Sequence, residues 1–352
     1  MPSSAAHKTA AWHQEGSSMM KIAKEKVFAV IMAGGKGERL WPISTEDRPK
    51  PLVAFDGEQT LLEETVQRLF PLLNAENIMV VTDKKSAVPA KELLPIPEEN
   101  IIVEPCRRNT APCIALAAAL IRRKCEDALM IVLPADHRIT PVRKFQEDLA
   151  ACLEQAQKGS LTLLGAVPDQ PATGYGYIKL AGEIAPGICE VERFKEKPDL
   201  ETAKSYMESK EYLWNCGIFV WQVSRIAGEL KVHCPALYEK WKGWSEGKDY
   251  NEDFADCPGI SIDYAVMEKA CNVAVRKASF HWNDLGTFRS LYEISEKDPE
   301  GNAVRAGGEV LLDGSGHNLV YCDDDTLIRL RNLDHCVVIK SGKMLLVTSK
   351  WE

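Results

Sequence analysis

The chain has 352 residues, 45% of them hydrophobic, and a formal net charge of −8. That length supports a full core and suggests two domains, one of them minor, while the acidic balance argues against a general nucleic-acid binder. Eleven cysteines without a C-x-x-C pair and seven histidines without H-x-x-x-H spacing speak against a disulfide framework or a zinc site and favour a reducing cytosol, and no apolar run is long enough to span a bilayer.

Residues 1–20 are small and polar, lack the hydrophobic centre of a signal peptide, and read as a disordered extension with a natural start at Met19 or Met20. Val27 to Met32 then forms a consecutive apolar run, the pattern of a strand buried on both faces. Ala33, Gly34, Gly35 and Gly37 keep the following turn nearly free of side chains, so backbone N–H groups can approach an anion such as a phosphate chain. Arg39 and Lys50 add two cations. A Walker A loop is excluded because Glu38 and Arg39 follow Gly37, and a dinucleotide fingerprint because position 40 is Leu40. A glycine-rich turn with surface cations remains the plainer alternative.

Leu62, Val66, Leu69 and Leu73 stand at helical spacing over 61–73, and Ile78 to Thr82 reads as the next buried strand. This strand, helix, strand order begins an open parallel sheet, whose ligands lie outside the carboxyl ends of its strands. Residues 101–123 give a short strand, a polar turn and an alanine-rich helix that Asn109 or Thr110 can cap, with Pro112 in its first turn. Asp127 to Pro134 is a further apolar strand, and Asp136 just beyond its end is a carboxylate that needs a positive partner. A Mg²⁺ held by one or two carboxylates and substrate phosphates meets that need. His137 reads equally well as a structural partner and receives no chemical role.

Leu161 to Val167 gives another strand, followed by Thr173-Gly174-Tyr175-Gly176-Tyr177-Ile178, a turn of glycines between aromatics. Glu196 and Lys197 precede a helix start and read either as a solvated charge pair or as a carboxylate and ammonium for a sugar phosphate. Asn215 lies in a strand-like stretch, WNCGIFVW, and offers both a donor and an acceptor. Residues 231–257 look like a helical insertion, and Ser261 is a candidate cap for the helix that follows. Asp263 can line a ligand pocket or simply favour that helix N-terminus, and Asp284 in WNDLGT can be a second metal carboxylate or a cap for a helix over 287–294. From about Gly301 short apolar segments separated by Gly, Asn and Asp predict strands near 309–313, 318–322, 326–331, 335–339 and 343–347.

These motifs in order, GG-x-G-x-R-L-x-P with Pro49-Lys50-Pro51, EP-x-x-RNTAP, PADH, TGYGYI, F-x-EKPD, WNCG, SIDYAVME and WNDLGT, resemble those of the sugar-nucleotide pyrophosphorylases from about residue 27 onward. The Leu40-Trp41-Pro42 continuation and SIDYAVME are most like the mannose-1-phosphate guanylyltransferases. Cys216 departs from the family's usual WNSG, a small-for-small change with little expected effect. The resemblance implies an α/β fold: a Rossmann-like, GT-A-like nucleotidyltransferase domain over 21–298 with an open, mixed, mostly parallel sheet, and a short left-handed β-helix-like domain over 299–352. A cupin-type isomerase domain has no room, so the expectation is a monofunctional chain.

The implied reaction is GTP plus mannose 1-phosphate giving GDP-mannose and pyrophosphate, in the cytoplasm, with Mg²⁺ or another divalent cation on Asp136 and Asp284. The family roles fall on Gly34, Gly35 and Gly37 for the β- and γ-phosphates, Arg39 for the leaving pyrophosphate and Lys50 for the α-phosphate. Ala33, Asn109 and Thr110 join the nucleotide site. Gly174, Tyr175, Gly176, Glu196, Lys197, Asn215 and Asp263 take the mannose 1-phosphate. The attacking phosphate is already an anion, so no general base is needed, in keeping with the lack of a Cys/His or Ser/His constellation. Another sugar 1-phosphate or nucleotide, or a silent sugar-nucleotide-binding homologue, stays open as an alternative. Neither a nucleic-acid nor a membrane partner is expected, and exposed strand edges of the β unit could pair in a homodimer.

Overall fold

A computed structural model describes residues 22–35, 38–55 and 57–351. The strands of the first part of the chain are β1 (Val27–Ala33), β2 (Ile78–Thr82), β3 (Ile101–Val103), β4 (Leu129–Pro134), β5 (Arg138–Thr140) and β6 (Leu161–Ala166). They continue as β7 (Gly176–Ala185), β8 (Ile188–Glu196), β9 (Tyr212–Gln222), β10 (Val273–Lys277) and β11 (His281–Asn283). The helices are α1 (Leu61–Gln67), α2 (Lys84–Leu93), α3 (Thr110–Lys124), α4 (Val142–Ala156), α5 (Leu200–Ser209), α6 (Val223–His233), α7 (Pro235–Ser245) and α8 (Phe288–Ile294).

The chain divides into two compact units, the first comprising 63–135 and 139–282 together with the segment that ends at Gly34. Its described residues form a nine-stranded sheet in the order β3-β2-β1-β4-β9-β6-β10-β8-β7. Strands β9 and β8 run against the other seven, which makes the sheet open, mixed and mostly parallel. Strand β1 is buried on both faces, as its unbroken apolar run requires. Phe28 and Val30 join a core with α3, α6 and α7, while Val27, Ala29 and Ile31 on the opposite pleat are fully buried too. Helix α3 is alanine-rich because it is buried along most of its length, where small side chains allow close packing.

The second unit contains 35–62, 136–138 and 283–352. Its strands β12 (Ala303–Ala306), β13 (Val310–Asp313), β14 (Leu319–Cys322), β15 (Ile328–Arg331), β16 (Val337–Ser341) and β17 (Met344–Thr348) make two small sheets. Strands β12, β14 and β16 stack in parallel, as do β13 and β15, so successive coils lie in register in a β-helix-like arrangement. Val320, Cys322, Ile328, Leu330 and Val338 fill the space between the two sheets. A second core in the same unit joins Leu319, Val337 and Ile339 to Leu40, Ile43, Val53 and Phe55. The segment carrying Arg39 and Lys50 is thereby anchored on this unit by apolar packing.

One expectation needs correction, and several short strands, β5, β10 and β11 among them, went unanticipated. The helix expected over 61–73 stops at Gln67, because Pro71 cannot continue an α-helical ladder and the chain turns before it. Strand β12 was not anticipated; four residues with only Ala303 fully buried carry too weak an alternation to stand out.

Candidate functional site

Pro49 has an extended backbone and delivers the chain into a 3₁₀ turn, Lys50–Leu52, that buries Lys50. The Lys50 ammonium donates to Asp136 Oδ2 at 2.8 Å and to the Asp284 backbone carbonyl, all within the second unit. Burial is the largest influence on the Asp136 carboxyl and would raise it. The Lys50 charge, with His137 Nε2 at 3.9 Å, outweighs burial and holds the carboxyl below its ordinary value. Asp284 Oδ1 accepts from the Gly286 N–H at 3.0 Å. The cap of α8 is Thr287, in a reciprocal capping box with Ser290, so Asp284 is not that helix's cap.

Gly286 stands where two charged side chains converge. A Cβ there would lie 2.8 Å from Asp284 Oδ2 and 3.2 Å from Arg39 Nη1, so the Asp284 carboxylate and the exposed Arg39 guanidinium crowd one glycine. A carboxylate and a carbonyl oxygen therefore already surround one cationic group, with a second carboxylate beside that carbonyl. Hard oxygen donors around a positive charge suit a divalent cation such as Mg²⁺, which completes its shell with phosphates and water.

In the first unit, Ala33 closes β1, its carbonyl accepting from the Thr82 hydroxyl at 2.8 Å, and Gly34 follows on the exposed turn. Gly35, at φ +119°, opens the second unit's segment, and Gly37 lies outside the described residues. Asn109, at φ +69°, caps α3 by accepting from the Thr110 N–H. The Thr110 hydroxyl accepts instead from the Ile262 N–H at 2.9 Å, which ties the α3 N-terminus to the SIDYAVME segment.

The same unit brings Gly176, Glu196, Lys197, Asn215 and Asp263 together, with Tyr175 beside them. Strand pairing aligns Gly176 with Glu196, and a Cβ on Gly176 would meet Glu196 Oε2 at 2.5 Å and the Asn215 Cβ at 3.2 Å. Glu196 Oε2 is buried without a hydrogen-bond partner, while Oε1 lies 3.2 Å from the Lys197 ammonium. Burial raises the Glu196 carboxyl, against the pull of Lys197. Asn215 Nδ2 donates to Asp263 Oδ1 at 3.0 Å, and its Oδ1 accepts from the Gly217 N–H, which fixes the amide's orientation. Burial and the neighbouring Glu196 charge push the Asp263 carboxyl up to about 7. The Tyr175 ring sits edge-on to Trp214 and Trp282, with centroids 4.9 Å and 5.2 Å away. Gly174 is exposed on the turn before β7.

Sequence reasoning gave Glu268 no role, yet its Oε1 accepts from the Glu196 N–H at 2.9 Å and so holds the turn into Lys197. The reason is local: Asp263–Met267 is a π-helical turn, and the Glu268 N–H reaches back to the Asp263 carbonyl, five residues earlier. Asp263 and Glu268 are thereby linked across one wide turn, a feature that often accompanies functional sites. An ordinary α-helical reading of SIDYAVME would not pair them.

The family described as Nucleotidyl transferase matches residues 28–301. A mannose-1-phosphate guanylyltransferase of Salmonella muenchen is 39% identical over 337 residues, covering 92% of this chain and 71% of that protein. The alginate biosynthesis protein AlgA of Pseudomonas syringae pv. tomato is 36% identical, covering 92% and 69%. Among solved structures, one described as a mannose-1-phosphate geranyltransferase from Thermus thermophilus aligns with a TM-score of 0.86 at 35% identity, covering 92% of this chain and 95% of that one.

Proposed function

Because the chain belongs to the nucleotidyl transferase family, we propose that it transfers a guanylyl group from GTP to α-D-mannose 1-phosphate, giving GDP-mannose and pyrophosphate. The observation that carries this reading is the Lys50 ammonium held between Asp136 and the Asp284 carbonyl, in the unit that also presents Arg39. A phosphate oxygen of the sugar phosphate attacks the α-phosphorus, the bond from that phosphorus to the bridging oxygen of the β-phosphate breaks, and pyrophosphate leaves. No proton has to be removed from the nucleophile, so the residues act by positioning and charge.

Lys50 is the cation for the α-phosphate, exchanging its Asp136 contact for a phosphate oxygen. Arg39 takes the departing pyrophosphate, and the backbone of Gly34 and Gly35 lines the triphosphate. Asn109 and Thr110 order the α3 N-terminus on the nucleotide side. Asp136 and Asp284 would hold a divalent cation, which when bound supplies charge neutralisation on the phosphate oxygens. Lys197 takes the mannose phosphate. The unpartnered Glu196 oxygen accepts from sugar hydroxyls, and Asn215 and Asp263 complete that side. Tyr175, flanked by glycines, offers the apolar surface. The test is direct: the full chain incubated with GTP, mannose 1-phosphate and Mg²⁺ should yield GDP-mannose and pyrophosphate, identified chromatographically. Absence of a nucleotide sugar under these conditions would refute the assignment.

A further inference from the structure

In the β-helix-like unit, Ala303 pairs with Leu319 and Leu319 with Val337, so the residues just before each strand stack from coil to coil. Gly301, His317 and His335 occupy equivalent corners, and all three have a positive φ, at +80°, +56° and +55°. Buried amides lock the register beneath them. The Asn318 N–H donates to Asn302 Oδ1 at 3.0 Å, and the Cys336 N–H to Asn318 Oδ1 at 2.8 Å. The two imidazoles are consequently stacked, with centroids 4.8 Å apart and planes 18° apart.

Asp334 sits between them. One carboxylate oxygen is 3.0 Å from His317 Nδ1, and the other is 2.7 Å from His335 Nδ1. One imidazole on a carboxylate is an ordinary surface contact. Two imidazoles stacked by the coil register and sharing one carboxylate make a convergent donor set, whose ligand atoms lie within 4.8 Å of one another.

We propose that His317, Asp334 and His335 form a transition-metal site on the corner of this unit, suited to Zn²⁺ or a neighbouring divalent ion. Two imidazole nitrogens with one carboxylate are the borderline donors that Zn²⁺, Co²⁺, Ni²⁺ and Cu²⁺ prefer, whereas Mg²⁺ prefers oxygen. All three side chains are exposed, so a metal ion can reach them from solvent. On binding, the metal takes the place of the two ring N–H protons directed at Asp334; each neutral imidazole then carries its proton on Nε2. The separation of the two histidines is one coil, and for that reason a search for helical histidine spacing passes over them. A metal here clasps two consecutive coils.

The test uses the full chain, stripped with a chelator and desalted, then titrated with Zn²⁺ against a chromophoric chelator in excess Mg²⁺. Accessible thiols such as that of the exposed Cys271 are also zinc ligands, so the reading is the difference from a His317→Asn/His335→Asn variant. Asparagine tolerates a positive φ, which preserves both corners. The parent should bind about one Zn²⁺ more than the variant, and Asp334→Asn should weaken that site roughly tenfold or more. Equal zinc uptake by parent and variant would overturn the proposal. Should the double variant fail to fold, Cu²⁺ electron paramagnetic resonance on the parent decides: coupling to imidazole nitrogen in the parent supports the site, and its absence overturns it. GDP-mannose formation in Mg²⁺ should be the same in parent and variant, since these residues lie outside the proposed catalytic set.

Discussion

Lys50 and Asp136 are 86 positions apart in sequence, yet the lysine ammonium donates to the aspartate carboxylate at 2.8 Å, with the Lys50 side chain only 8% exposed. Such a pair is desolvated on the lysine side, so removing Asp136 leaves a poorly solvated ammonium behind, while removing Lys50 strips a half-buried carboxylate of its cation. Lys50→Ala should lower turnover roughly a hundredfold or more and also lower the unfolding midpoint. Pairing it with Asp136→Ala should cost less stability than the two single losses summed, as a double-mutant cycle of unfolding would read. Arg39 is exposed, so Arg39→Ala should cost turnover with no change in midpoint. Near-normal rates in either single variant would leave that cation without its assigned role.

Gly286 tests the same cluster without removing a charge. A methyl group there would press on the Asp284 carboxylate and the Arg39 guanidinium, so Gly286→Ala should reduce kcat about tenfold or more while the fold is retained. Steady-state kinetics alongside circular dichroism would check this, and an unchanged kcat would argue that the two groups need not keep this arrangement.

On the sugar side, a Cβ at Gly176 would stand 2.5 Å from Glu196 Oε2. Gly176→Ala should raise KM for mannose 1-phosphate about tenfold and leave KM for GTP nearly unchanged, because the displaced carboxylate serves only the sugar. An equal rise in both constants would place Glu196 elsewhere in the reaction.

Burial, with the Glu196 charge beside it, pushes the Asp263 carboxyl in the folded chain up to about 7 from its ordinary 3.8. Between those values the folded state binds the extra proton, so the associated stability is full below about 4 and is lost as pH rises through 7. Glu196, also raised, acts in the same direction. Denaturant unfolding from pH 4 to 8 should therefore show a decline that Asp263→Asn partly flattens. Superimposable profiles for parent and variant would contradict the buried pairing of these two carboxyls.

Much of this architecture is written locally. The apolar run of β1, the Ile78–Thr82 strand and the alanine-rich α3 are each specified by a period or composition within their own residues. Lys50 and Asp136 could be picked out as charges needing partners, but that they partner each other depends on pairing across distant segments. The π-helical turn at Asp263 escaped because a five-residue hydrogen-bond spacing leaves no separate sequence period, and with it went the role of Glu268. Asp284 was legible only as either a metal carboxylate or the cap of α8, and the cap is instead Thr287, through its reciprocal hydrogen bonds with Ser290.

Guanylyl transfer to mannose 1-phosphate can be read from initial rates of nucleotide-sugar formation with GTP, ATP, UTP and dTTP in parallel, each with Mg²⁺ and with EDTA. GTP should be used in clear preference to the other three, and EDTA should abolish the reaction. Equal or faster use of another nucleotide, or product formation that persists in EDTA, would contradict this assignment.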